Sequence, residues 1–179
     1  MNRRRTFSDY ANLLDGLMGS LKKASPGTRP SLSSIPQEPA VYVFYDSERP
    51  VYVGQTRDLR RRISDHRSSG HNKASFAFQL ACDEVYGEPR NRSGKSRAAV
   101  EADLTFAQVF KKKIEEVKGM RIAFLVIDDE LLDRLLPDVE WREKRRVQRT
   151  IDNAIVRTLL EVHAALALRT ERYNSFDTH

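Results

Sequence analysis

The sequence predicts an α+β fold: a small three-stranded sheet, mixed or antiparallel, flanked by helices, with an N-terminal helix and helical insertions. Three observations predict it. Two short apolar runs, 40–45 and 50–54, are close enough to form a hairpin. A third run, RIAFLVID at 121–128, follows much later. Stretches of helical period surround all three. At 179 residues the chain suits one domain with a real core. It divides into an N-terminal helix and connector, 1–39, and a main domain, 40–179, with a basic insertion at about 70–120.

Phe7, Tyr10, Leu13, Leu14, Leu17 and Leu21 recur near helical spacing and predict an amphipathic helix over 6–23. Pro26, Gly27, Pro30, Pro36 and Pro39 make 24–39 an irregular connector. The strand pair at 40–54 follows, then helices at 57–69 and 72–82. Residues 84–97 are polar, basic and rich in turn formers, so they read as an exposed loop. From Ser96 to Lys118 the pattern is helical, and 121–128 is a buried strand. A short helix at 129–135 stops at Pro137, a long helix spans 139–169, and a loop closes 171–176. There is no internal repeat or low-complexity tract.

Lys and Arg number 31 against 25 Asp and Glu, a net charge of +6. The basic residues cluster at Arg3–Arg5, Arg60–Arg62, Arg90–Arg97, Lys111–Lys113 and Arg142–Arg149. Clustered positive charge suits a polyanion, although each cluster alone also fits a solvated helix face. The single cysteine, Cys82, rules out an internal disulfide and a cysteine-rich zinc site. No run is long and apolar enough for a membrane span, and no hydrophobic leader is evident. A cytoplasmic protein is expected.

Strand alternation puts Val41 and Val43 on one face, with Tyr42 and Phe44 on the other. Matching them to Val51 and Val53 sets Tyr42 opposite Tyr52, with the turn centred on Ser47. In the following helix, Leu59 and Ile63 form the buried stripe. Arg62 and His66, four residues apart, lie on its edge, while Arg60 and Arg61 point to solvent. Phenol, guanidinium and imidazole meeting at one place suit a phosphodiester. Ordinary sheet-covering tyrosines, an ion-paired Arg62 and a packed His66 are the alternatives. In the last helix, Ile155, Leu159, Val162 and Leu166 form a buried face, with Glu161 roughly opposite among alanines. An acid there requires a compensating charge, either Arg157 at i−4 or a metal ion such as Mg²⁺.

Taken together, these residues resemble the GIY-YIG nucleases. Ala40-Val41-Tyr42 stands for Gly-Ile-Tyr and Tyr52-Val53-Gly54 for Tyr-Ile-Gly. Arg62 follows Tyr52 by ten residues, Glu161 lies on a later helix and Asn174 follows it. His66 after the arginine resembles the restriction-endonuclease branch. The likeness is close over 40–69 and loose over 121–176; Ala40 replaces the first glycine, and 129–149 lengthens the path to Glu161. The resemblance implies hydrolysis of double-stranded DNA with Mg²⁺ or Mn²⁺. Tyr42 would be the general base, its pKa lowered by Arg62 and the metal, with His66 assisting. Arg62 would stabilise the phosphorane, Glu161 would hold the metal, Tyr52 would position water or phosphate, and Asn174 would orient the network.

The expected activity is that of a Type II restriction-like, site-specific endonuclease. A structure-selective repair or mobile-element nuclease is the alternative within the family, and a catalytically inactive DNA-binding module the alternative outside it. Cutting both strands favours a symmetric homodimer, with the 6–23 helix as a contact. Arg60 and Arg61, and Arg90, Arg92, Lys95 and Arg97 of the basic loop, are candidate DNA contacts. Gly94-Lys95-Ser96 imitates a phosphate loop, but Pro89 replaces its first glycine and no strand precedes it, so no nucleotide cofactor is expected. His66, His71 and Asn72 lack the spacing and partners of an HNH site.

Overall fold

The structure is a computed structural model that describes residues 5–24, 30–70, 72–136 and 142–174. Arg3, Arg4, Pro26, Gly27, His71, Pro137, Ser175, Phe176 and the predicted helix start at 139 lie outside the described residues. The elements are α1 (Phe7–Lys23), β1 (Ala40–Asp46), β2 (Arg49–Thr56), α2 (Leu59–His66), α3 (Ser75–Tyr86), α4 (Arg97–Glu101), α5 (Leu104–Gly119), β3 (Arg121–Val126), α6 (Asp129–Leu135) and α7 (Arg142–Leu168). A 3₁₀ turn at Leu32–Ser34 interrupts the connector. The strands form one fully antiparallel sheet in the order β2-β1-β3. The fold is α+β, as the sequence predicts.

Side-chain caps set the helix boundaries. Asp9 accepts from the Thr6 amide at 2.6 Å and from its hydroxyl at 2.9 Å, starting α1. Asp58 accepts from the Arg61 amide at 2.9 Å at the head of α2. Asp103, capping Thr105 and Phe106, divides the predicted 96–118 helix into α4 and α5. Gly87, at φ 77°, ends α3 four residues later than the sequence pattern suggests.

Both faces of the sheet are covered. Val41, Val43 and Val53 pack with Tyr10, Leu17 and Leu21 of α1, Leu132 of α6, and Val156 and Leu160 of α7. Tyr42 and Phe44 pack with Leu59 and Ile63 of α2, Phe76 of α3, and Phe106 and Phe110 of α5. The apolar stripe of α1 is therefore buried against its own chain, so a dimer contact through this helix would use its polar face. Only Phe7, 69% exposed, leaves the predicted stripe.

The buried stripe of α7 also differs from the predicted one. Val156, Leu160 and Ala164 face the sheet, whereas Leu166 is 55% exposed. The basic run before them is not all surface. Arg149 is buried and donates to the Leu132 and Leu136 carbonyls at 3.0 and 2.9 Å, satisfying the end of α6.

Candidate active site

Tyr42 sits in the middle of the central strand with no solvent exposure. Its hydroxyl lies 2.7 Å from His66 Nε2 and accepts from Arg62 Nε at 3.3 Å. Arg62 in turn donates to Ser75 Oγ at 2.9 Å. The helical edge inferred from the sequence thus meets the tyrosine face of the sheet. Tyr52 adjoins this group, its ring 6.3 Å from that of Tyr42 and stacked on Phe76 at 4.5 Å.

The hairpin register differs from the predicted one. Tyr42 pairs with Gly54, and Phe44 with Tyr52. Next to the turn, Asp46 pairs with Arg49 and Tyr45 with Pro50, a register that continued inward would set Val43 against Tyr52. An irregularity between Phe44 and Tyr45 moves it by one residue and brings Val43 opposite Val53. The tyrosines still share a face, but they are diagonal neighbours rather than direct partners. The position opposite Tyr42 is occupied by Gly54, where any Cβ would overlap the phenol ring and hydroxyl.

Burial, and then Tyr52, push the Tyr42 pKa well above its ordinary value, outweighing the lowering effect of Arg62. Tyr42 is therefore a protonated phenol at neutral pH, contrary to the expected lowering. Burial, reinforced by Arg62, pushes His66 well below its ordinary value, so the imidazole is neutral. A neutral imidazole beside a protonated phenol can accept its hydrogen bond. Burial works to lower Arg62, but the oxygens of Tyr42 and Tyr52 hold it above its ordinary value.

Glu161 projects from α7 toward β2. Burial raises its carboxyl to about 7, against the lowering influence of the Gln55 backbone and of Arg62 and Arg157. Arg157 is not its ion-pair partner. That guanidinium donates to Asn153 Oδ1 at 2.6 Å and to Gln55 Oε1. Among the described residues no His, Cys, Asp or Glu cluster of three exists, so a closed protein cage is not the arrangement here. A half-buried carboxylate that makes no ion pair within 4.0 Å among the described residues does fit Mg²⁺ or Mn²⁺, with water and substrate oxygens completing the shell.

A raised acid pKa has a definite stability signature. Charging Glu161 costs the folded state nothing below about pH 4.5 and its full penalty above about 7. Without metal, Glu161→Gln should therefore stabilise the protein at pH 8 by about 1–2 kcal/mol after allowance for partial exposure, roughly 2–8 °C in Tm. The gain should vanish at pH 4.5 in thermal melts. Equal melting temperatures at pH 8 would show that the acid is not strained there.

Asn174 lies apart from the phenol–guanidinium group. It donates from Nδ2 to the Val53 carbonyl at 2.5 Å, and its Oδ1 accepts from the Val53 amide at 3.2 Å and from Thr170 Oγ1 at 3.0 Å. It holds the edge strand β2 from outside, rather than orienting the reacting groups directly. Several proposed DNA contacts also have structural partners. Arg60 donates to the Ile35 carbonyl at 2.7 Å, Arg90 to the Asn174 carbonyl at 2.5 Å, and Arg97 lies 4.3 Å over the Phe78 ring. Arg61, Arg92 and Lys95 are exposed, with Lys95 4.0 Å from Asp103. Ser96 caps the short α4, and the segment before Gly94-Lys95-Ser96 is helix α3, not a strand.

Ser75, Phe76 and Gln55 belong to this site without having been singled out in the sequence. Gln55 had a signal, since it directly follows the Tyr52-Val53-Gly54 motif. The other two are unremarkable residues at the start of α3, and only tertiary placement identifies them.

The model of the GIY-YIG catalytic domain matches residues 38–114, from β1 through most of α5. Glu161 and Asn174 lie beyond that span. UvrABC system protein C of Trichormus variabilis is 41% identical over 51 residues, 28% of this chain and 8% of that protein. The Thermosipho africanus protein of the same name is 25% identical over 99 residues, 55% of this chain and 18% of its own length. In Corynebacterium jeikeium the likeness is 49% over 39 residues, 21% and 6%. The chain thus spans less than a fifth of these curated relatives, and no solved structure matches it. Residues 38–114, which hold both tyrosine motifs, Arg62 and His66, thus match a GIY-YIG catalytic domain.

Proposed function

We propose that this protein is a divalent-metal-dependent DNA endonuclease of the site-specific, restriction-like kind, acting on double-stranded DNA as a homodimer. The observation that carries the nuclease reading is the hydrogen-bonded group Arg62–Tyr42–His66, with the half-buried Glu161 carboxylate close by. A module that only binds DNA has no need of a buried phenol held between a guanidinium and a neutral imidazole.

In this reading the attacking water gives a proton to the Tyr42 oxygen as the phenol proton passes to His66 Nε2. The water oxygen bonds to phosphorus, the ester P–O bond breaks, and the departing oxygen takes a proton from solvent water to leave as the hydroxyl. Arg62 donates to the non-bridging oxygens, where charge develops. Tyr52 positions the phosphate, and Phe76 fixes its ring. Glu161 would hold the Mg²⁺ or Mn²⁺ ion, which supplies positive charge to the phosphate and the departing oxygen. Asn174 acts through Val53 as a positioning residue.

His66 supports the restriction-like reading. The likeness to UvrABC system protein C supports a second one, a structure-selective repair nuclease. Incubating the purified chain with Mg²⁺ and plasmids of varied sequence, or with branched and lesion-bearing duplexes, tests both. Discrete plasmid fragments are expected for the first reading, and cutting confined to branches or lesions for the second. Retarded but uncut DNA in both Mg²⁺ and Mn²⁺ would overturn the nuclease reading.

A further inference from the structure

A groove of about 240 Å³ opens beside Arg62, lined by Thr56, Arg57, Asp58, Arg61, Arg62 and Asp65. A water occupies about 30 Å³ in the liquid, so there is room for a phosphodiester group with several waters. Three guanidinium groups face two carboxylates there. One carboxylate, Asp58, accepts from the Arg61 amide as the α2 cap. Asp65 is the second, on the α2 wall.

The arginines around this helix divide into two sets. Arg60 is held by the Ile35 carbonyl and Arg67 by the Pro30 carbonyl at 3.2 Å. Arg57 and Arg61 are exposed, and among the described residues neither guanidinium makes a hydrogen bond or ion pair. Both line the groove that Arg62 shares. Consecutive helical residues leave the axis about 100° apart, so Arg61 and Arg62 enter the groove from different directions. Arg57 also acts on Arg157: burial lowers the Arg157 pKa and the charge of Arg57 lowers it further. That places Arg57 toward the Glu161 side of the site.

We propose that Arg57 and Arg61 form a second phosphate site, which holds the phosphodiester next to the scissile one on the cut strand. This inference rests on the nuclease reading. The scissile phosphate lies at Arg62, and the uncommitted pair fixes the direction in which the strand leaves it. The groove therefore sets strand register without reading bases.

The test is binding of a fluorescent 20-bp duplex, without divalent metal, to wild type and to Arg57→Gln/Arg61→Gln between 50 and 300 mM KCl. Loss of one neutralised phosphate should reduce the slope of log K against log[salt] by about 1 and weaken binding about tenfold. Lys111→Gln, an exposed position outside the groove, is the reference. A second measurement places one neutral methylphosphonate at successive positions of a cleavable duplex. Wild-type cleavage should fall at the linkage adjacent to the cut, and the double variant should lose that extra penalty. The two single variants replace the double one if its thermal melt shows misfolding. Wild-type slope and penalties in the variants would overturn the groove site while leaving the nuclease reading intact. A wild type that neither binds nor cuts DNA would overturn both.

Discussion

Tyr42→Phe should lower the rate of Mg²⁺-dependent DNA cleavage by about 10²–10⁴, the usual contribution of a positioned proton-transfer group. The loss should appear in kcat, with binding of the duplex nearly unchanged. The substitution removes one oxygen from a side chain that is otherwise fully packed. Two partners lose their contact, His66 Nε2 at 2.7 Å and Arg62 Nε at 3.3 Å. His66 Nδ1 has no protein hydrogen-bond partner among the described residues, so the buried imidazole would then have none at all. A stability loss of about 1–3 kcal/mol should accompany the kinetic loss. Single-turnover cleavage and a denaturant titration separate the two effects. Full activity in the phenylalanine variant would remove Tyr42 from the proton path.

Gly54→Ala should be nearly as damaging, although it adds only a methyl group. The new Cβ would fall on the ring and hydroxyl of Tyr42. That ring has little freedom to retreat, because Phe44 and His66 meet its edges at centroid distances of 5.7 and 5.8 Å. Overpacking of this kind costs about 1–3 kcal/mol. In the proposed mechanism the atom displaced is the proton-transfer oxygen, so cleavage should fall by at least about 10². In thermal melts, Gly54→Ala combined with Tyr42→Phe should be less destabilised than the sum of the single changes, by more than about 0.5 kcal/mol. Additive melts would show that the two positions do not compete for space. The glycine of this motif is thus a steric requirement set by the strand opposite, with no positive φ involved.

Much of the fold was legible because its signals are local. Strand alternation at Val41, Tyr42 and Val43 and the helical spacing of Leu59, Arg62, Ile63 and His66 identified the right faces. The capping residues Asp58, Asp103 and Asp128 are also local, and they mark where helices begin. The hairpin register was not legible, because it depends on one irregular residue beside the turn. The face of α7 was misread because alanines and leucines occur all round the helix. Its orientation is set instead by polar anchors, Arg149 on the α6 carbonyls and Arg157 on Gln55. The fate of each arginine was equally hidden. Identical guanidinium groups in one basic run end on a carbonyl, on a phenol or in open solvent, according to tertiary neighbours.

The same limit explains the pKa of Tyr42. Sequence proximity to Arg62 suggested a lowered value, since one cation was visible and burial was not. Packing by α2, α3 and α5 reverses the sign. In the proposed mechanism the proton then passes to the neutral His66, a residue that composition alone would have left as a packed histidine.

The clamp of Asn174 on Val53 bears on the order in which the molecule becomes competent. It closes a loop spanning 121 residues of sequence, and closing such distant contacts is the slow part of reaching a native topology. During synthesis the hairpin, α2 and the Tyr42–Arg62–His66 group emerge before the acid of α7 and the clamp on β2, which follow about a hundred residues later. A nascent chain therefore carries its tyrosine motifs long before it carries a complete site. Under the proposed mechanism, then, the cutting centre is completed only when the last helix and the clamp on β2 are in place.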